Sequence, residues 1–264
     1  MILRRITKHV KDQNWFAVAL DFLIVVVGVG VAMLGQQWIS DRQQRADMGV
    51  AERALQTDLV LNYSSATERL AVADCRTETY QAIATQLLLP GERWDGVQVR
   101  KNEEIFPSAL PNILRSPSRP WGSLVWDAEL IRGTFNQMDN GRRAALGRLF
   151  DQTSRAQVLQ TEIYTLQGRL KVLAVAKSMT QSEKLRYYEL LGELDDKSSL
   201  LEVYSAQTVQ QIKNIGIELE PALAENVSQN LDSANARLRE IYGDCAKPLD
   251  WSVYDKYLNA SVAQ

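Results

Sequence analysis

Histidine is almost absent: His9 is the only one in 264 residues. A Ser-His-Asp or Cys-His mechanism elsewhere in the chain therefore lacks its base, and H-E-x-x-H zinc chemistry goes with it. Cysteine is nearly as scarce, and Cys75 and Cys245 alone are too few for a four-ligand zinc site. Neither G-x-x-x-x-G-K-[ST] nor G-x-G-x-x-G occurs, so nucleotide binding has no motif. Basic clusters are missing beyond the first residues and the net charge is −2, which leaves no footprint for a phosphate backbone. No window alternates apolar and polar residues between hairpin turns, so strands are not expected to matter. No catalytic residue, metal or cofactor is expected from these absences, and nucleic acid is not an expected partner.

Long apolar runs are absent too, with one exception: WFAVALDFLIVVVGVGVAMLGQQW, residues 15–38. From Phe16 to Gly35 the only charge is Asp21. Those residues as a helix measure roughly 30 Å, the thickness of a hydrocarbon core. Trp15 and Trp38 then fall near the two interfaces, where an indole can hydrogen-bond at one edge and stay apolar elsewhere. The lipid bilayer is the expected surrounding of this segment.

Its flanks orient it. Arg4, Arg5, Lys8 and Lys11 precede the span against Asp12, whereas Arg42 and Arg45 follow it interleaved with Asp41 and Asp47. That asymmetry predicts residues 1–14 as a cytoplasmic tail, 15–38 as a transmembrane signal anchor, and 39–264 as an exported body. A cleaved signal peptide would have a shorter apolar region and a small-residue cleavage box, which VGVAMLGQQ does not offer. In an exported body, Cys75 and Cys245 suit a single disulfide closing a loop of about 170 residues, with two buried thiols as the other reading.

Beyond the span the pattern is helical. Ser40 followed by Gln43 has the form of a capping box, and Met48, Ala51, Leu55, Leu59, Ala66, Leu70, Ala73, Tyr80, Ala84 and Leu87 recur at helical steps until Pro90 and Gly91. Residues 90–120 hold five of the seven prolines and read as an irregular loop, the first place to look for partner binding. Helical spacing resumes over Trp121 to Phe135. After the turn signal Asp139-Asn140-Gly141 it runs from Leu146 to Leu173. A further helix starts near Ser182, and a last one begins at Pro221 and stops at Gly243. The expected fold is all-α: a transmembrane helix continuing into a long helix of an antiparallel bundle of four or five. The tail after Pro248, with Trp251, Tyr254, Tyr257 and Leu258 on one face, is expected to pack back onto the bundle.

Some residues invite a chemical reading. Glu103 and Glu104, or Asp195 and Asp196, are paired acids of the kind glycosidases use, but neighbouring acids on a helix diverge and usually form a solvated face. Asn62, Asn226 and Asn259 each begin an N-x-S triplet, a pattern that is common by chance. Within the span, Gly28, Ala32 and Gly35 form a small-residue ridge where another transmembrane helix could approach closely. Asp21 has three readings: a hydrated or protonated acid near the interface, a polar contact with a partner helix, or an ion-carrying carboxylate.

The opening MILRRITKHVKDQNWFAVALDFLIVVVGVGVAML, with its D-F-x-I-V-V-x-G-V span and the Q-x-W that follows, resembles a domain-of-unknown-function family of single-pass bacterial inner-membrane proteins. WGSLVWDAELIRGTFNQMDNGRRAALGRLFDQ is similar to a second segment of that family. The resemblance implies a helical periplasmic body and brings no catalytic residue. The layout is also similar to stator proteins of ion-driven motors, which would make Asp21 an ion carrier, although no peptidoglycan-binding motif accompanies it. The functional expectation is a non-enzymatic anchored module for a partner or ligand, as scaffold or sensor, with a membrane protein or a second copy of the chain as partner. An ion-conducting subunit is the alternative, and a carboxylate-dependent exported hydrolase comes third.

Overall fold

A computed structural model describes the backbone of residues 15–97, 113–216 and 221–254, and the side chains of these except 15–19, 21, 221–229 and 231. The protein is all-α, with only one two-residue strand pair among the described residues. It divides into two units, Met1–Val50 and Ala51–Gln264.

In the first unit the described residues belong to a single helix, α1, which spans Trp15–Ala71 and so extends into the second unit. Leu20 and every described apolar side chain from Phe22 to Leu34 are exposed. Ser40 lies inside this helix and is not a cap: no residue between Trp38 and Ser40 leaves helical geometry, so no terminal N–H group is free there. Its hydroxyl instead accepts from Gln44 Nε2 at 3.5 Å.

In the second unit, α1 presents Ala51, Leu55, Leu59, Tyr63 and Ala66 to the core, the four-residue stripe that its spacing predicts. The helix expected to run on to Pro90 breaks at Val72, and α2 is a separate helix, Ala73–Leu88. No Gly or Pro marks the break. The Lys247 N–H donates to the Ala71 carbonyl at 2.8 Å, the acceptor that an uninterrupted helix would give to Cys75. α2 ends where Pro90 pushes Leu89 into extended geometry, ψ 140°. The buried Lys184 ammonium then donates to the freed Leu89 carbonyl at 3.1 Å.

The Pro-rich stretch is anchored wherever it is described. β1, Arg93–Trp94, pairs antiparallel with β2, Lys177–Ser178, and Trp94 Nε1 and Val97 N–H both donate to the Leu173 carbonyl at 2.9 Å. Gly96 has φ +79°, and a Cβ there would lie 2.8 Å from the Ala174 carbonyl oxygen. Ile113, Leu114, Pro117 and Trp121 are buried at the far end of the stretch. Pro107 and Pro111 lie outside the described residues.

α3, Leu124–Arg132, closes on Gly133 in the left-handed region. It holds Trp126 stacked on Phe135 and Phe150, with centroids 5.1 and 5.4 Å apart. The turn expected at Asp139-Asn140-Gly141 is the start of α4, Asn140–Leu170, with Asp139 Oδ1 accepting from Arg142 N–H at 2.9 Å. A capping box of Thr180 and Glu183 opens α5, Gln181–Ile215, one residue ahead of the expected start. α6, Pro221–Tyr242, ends before Gly243 at φ +88°.

Contact pairs give the directions. Lys197 with Glu162 and Gln152 with Thr208 make α4 and α5 antiparallel, and Arg76 with Glu202 and Lys184 with Leu89 do the same for α2 and α5. In contrast, Glu52 faces Arg142 and Arg69 faces Gln160, so α1 and α4 run side by side in the same direction. The long irregular connection between α2 and α3 makes that parallel pairing feasible. Leu238 on α6 packs with Ala71, Val72, Cys75, Ala246 and Leu249, and the tail returns Trp251 and Tyr254 onto Tyr63, as the aromatic stripe predicts. Tyr257 and Leu258 lie outside the described residues.

Candidate functional site

Gly28, Ala32 and Gly35 fall on one side of α1 by helical register, and a Cβ added at Gly28 or Gly35 would meet nothing within 4 Å. Trp38 is 64% exposed, with the Arg42 guanidinium 5.8 Å from its ring. The backbone places Asp21 seven residues before Gly28 and therefore on the same side of the helix; its side chain, like that of Trp15, lies outside the description. This helix is long and apolar enough to cross a membrane.

In the second unit, several polar side chains are buried along α1, and three of them, Asp58, Asn62 and Arg69, bond the stretch from Pro117 to Val125, at the start of α3. The Asp58 carboxylate accepts from Val125 N–H at 3.1 Å; burial raises its pKa, against the lowering by that bond. Asn62, fully buried, pairs with Gly122 as a strand would, accepting from its N–H at 2.8 Å and donating to its carbonyl at 2.7 Å. It is therefore no glycosylation acceptor. Arg69, 4% exposed, donates to the Pro117 carbonyl at 2.8 Å and to Gln160 Oε1 at 2.9 Å. Burial lowers its pKa, opposed by the neighbouring Tyr164, Tyr242 and Glu202.

Asn62 is noticeable in the sequence only as the start of an N-x-S triplet, and Asp58 and Arg69 belong to no motif. A signal was nevertheless present: Asn62 and Arg69 sit seven residues apart at positions where the apolar pattern calls for core residues.

The acids singled out earlier separate. Asp195 joins Glu202 in an ion cluster around Arg76, with Arg76 Nε 2.6 Å from Glu202 Oε1, which fastens α2 to α5. Glu103 and Glu104 lie outside the described residues. The Cys75 and Cys245 sulfurs are at bonding distance, 2.06 Å, with Cα atoms 5.1 Å apart.

No family model, curated protein or solved structure matches this chain.

One concavity stands out for its lining. Between the start of α4 and the end of α5 lies a cleft of about 410 Å³, lined by Arg142, Ala145 and Arg148 on one wall and Gln211, Asn214 and Ile215 on the other. The antiparallel pairing of α4 and α5 brings these two helix ends together.

Proposed function

We propose that the protein is a single-pass membrane protein of a bacterial inner membrane. Residues 1–14 are cytoplasmic, 15–38 form an uncleaved anchor, and the body is presented in the periplasm as a non-catalytic helical module that binds a partner or ligand. The observation that carries the reading is the uninterrupted exposure of apolar side chains from Phe22 to Leu34 on a continuous helix. Such a surface needs a lipid environment or an extensive partner. The Cys75–Cys245 pair supports export, because disulfides persist in oxidising compartments.

Asp21, Gly28 and Gly35 share one side of α1, which favours a second transmembrane helix, from a membrane protein or another copy of the chain, as the contact there. The same register supports the alternative of an ion-conducting subunit built around Asp21.

Reporter fusions after residue 264 test the topology. A phosphatase that is active only when exported should be active, and a fluorescent protein that folds only in the cytoplasm should stay dark. The opposite pair of results overturns the orientation. Cross-linking in membranes followed by Asp21→Asn addresses the contact: loss of a specific cross-linked product supports helix pairing, and an unchanged product removes Asp21 from it.

A further inference from the structure

The cleft between α4 and α5 contains hydrogen-bonding groups that the fold itself leaves unused. Gln152 Nε2 donates to the Tyr204 carbonyl at 2.8 Å and to Thr208 Oγ1 at 3.0 Å, which fixes its amide so that Oε1 is free to accept. Gln211 Nε2 donates to that oxygen at 2.8 Å. This relay sets the orientation of the Gln211 amide and leaves its Oε1 buried without a partner. Arg142 Nε across the cleft is likewise buried and makes no hydrogen bond, with Glu52 Oε1 no closer than 4.0 Å. Asn214 spends its Oδ1 on Gln210 Nε2 at 3.0 Å, so its amino group remains available. Arg148 is exposed and makes no ion pair or hydrogen bond among the described residues.

The inventory is therefore two guanidinium groups and an amide donor, beside one amide acceptor. Glu52 offsets part of the Arg142 charge, and Arg148 keeps its own. Arginine forks match oxyanions, whereas an unpaired amide oxygen needs a donor such as a hydroxyl. The cleft volume is within the usual range for small-ligand sites.

We propose that this cleft binds a small hydroxylated organic anion, its carboxylate or phosphate held by Arg142 and Arg148 and a neighbouring hydroxyl by Gln211 Oε1. The inference rests on the reading of the body as a ligand-binding module and specifies its ligand class.

The test uses the full chain in detergent micelles with isotope-labelled methyl groups, following the Ala145 and Ile215 signals at constant ionic strength. The probes are gluconate for a carboxylate source and glycerol 3-phosphate for a phosphate source, with acetate and glucose as controls. Saturable shifts with either probe, at least tenfold tighter than with acetate or glucose, support the site and tell which anion it takes. Arg148→Gln should weaken that binding at least tenfold and Arg148→Lys by less than threefold. Arg148 is exposed, so unchanged circular dichroism is expected of both variants. Absence of saturable shifts, equal binding of acetate, or equal binding by the Arg148→Gln variant overturns the proposal. Its failure is separable from failure of the topology, because the reporter fusions do not depend on the cleft and the titration does not depend on orientation.

Discussion

Arg69 is the most consequential single residue in the body. Its guanidinium is buried without a carboxylate in hydrogen-bonding contact, and its two acceptors belong to a loop and to α4. Arg69→Met should therefore leave the Pro117 carbonyl to the Tyr164 hydroxyl and Gln160 Oε1 to Trp121 Nε1, and lower unfolding free energy by about 1–3 kcal/mol. Denaturant titration of the solubilised protein reads this directly, and a loss below about 0.5 kcal/mol would show that water replaces the guanidinium. Asp250 provides a pH handle. Burial alone would raise its pKa, but hydrogen bonds from Lys213 and Ser252 outweigh that and hold it at about 2, below the ordinary 3.8. A depressed carboxylate stabilises the fold fully above its unfolded value and ceases to as pH falls through its folded value. Because the side chain is 47% exposed, the contribution is discounted for solvent screening to about 1 kcal/mol or less. Asp250→Asn should be less stable than the parent by that amount at pH 7, with the gap closing between about pH 4 and pH 2. A gap that persists at pH 2 would assign the effect to packing.

At the level of elements, glycine positions separate strained turns from open helix faces. Gly96→Ala puts a methyl group against the Ala174 carbonyl at a positive φ and should cost about 1–3 kcal/mol. Gly192→Ala, inside α5 with nothing within 4 Å, should instead stabilise by up to about 1 kcal/mol. Thermal midpoints of the two variants that moved in the same direction would contradict this. The start of α5 was expected near Ser182 rather than at the Thr180–Glu183 box, but the helices themselves were legible where local chemistry decides them: Pro221 and Gly243 announce the ends of α6. The break at Val72 was not, because its cause is a hydrogen bond from Lys247, remote in sequence. The Asp139-Asn140-Gly141 signal marked the break ahead of α4, although only Asp139 lies outside the helix, since an aspartate that favours turns is equally suited to capping a helix.

For the whole molecule, the all-α class and the exposed apolar segment follow from periodicity and run length, which the sequence displays directly. The cleft does not, because Arg148 and Gln211 meet only through the pairing of α4 with α5, and a lone arginine on a helix carries no hint of its neighbour. The cysteine pair was readable as a possibility and acquires a location only in the fold. If oxidised, it closes a loop with a sequence separation of 170 residues and should contribute about 3–5 kcal/mol. Reductant should then lower the unfolding midpoint of the parent protein and leave that of Cys75→Ser unchanged. Equal responses would mean that the thiols are free.

The return of the tail onto α1 has a kinetic consequence. Tyr63 waits for Trp251 and Tyr254, the Ala71 carbonyl for Lys247, and Cys75 for Cys245. Contacts this distant in sequence form late, so these three pairings wait until residues near 250 have emerged, whereas Asp58, Asn62 and Arg69 can already engage Val125, Gly122 and Gln160. A body delivered across a membrane beginning with α1 would thus dock α1 on α4 first and gain its final closure only as the last residues arrive.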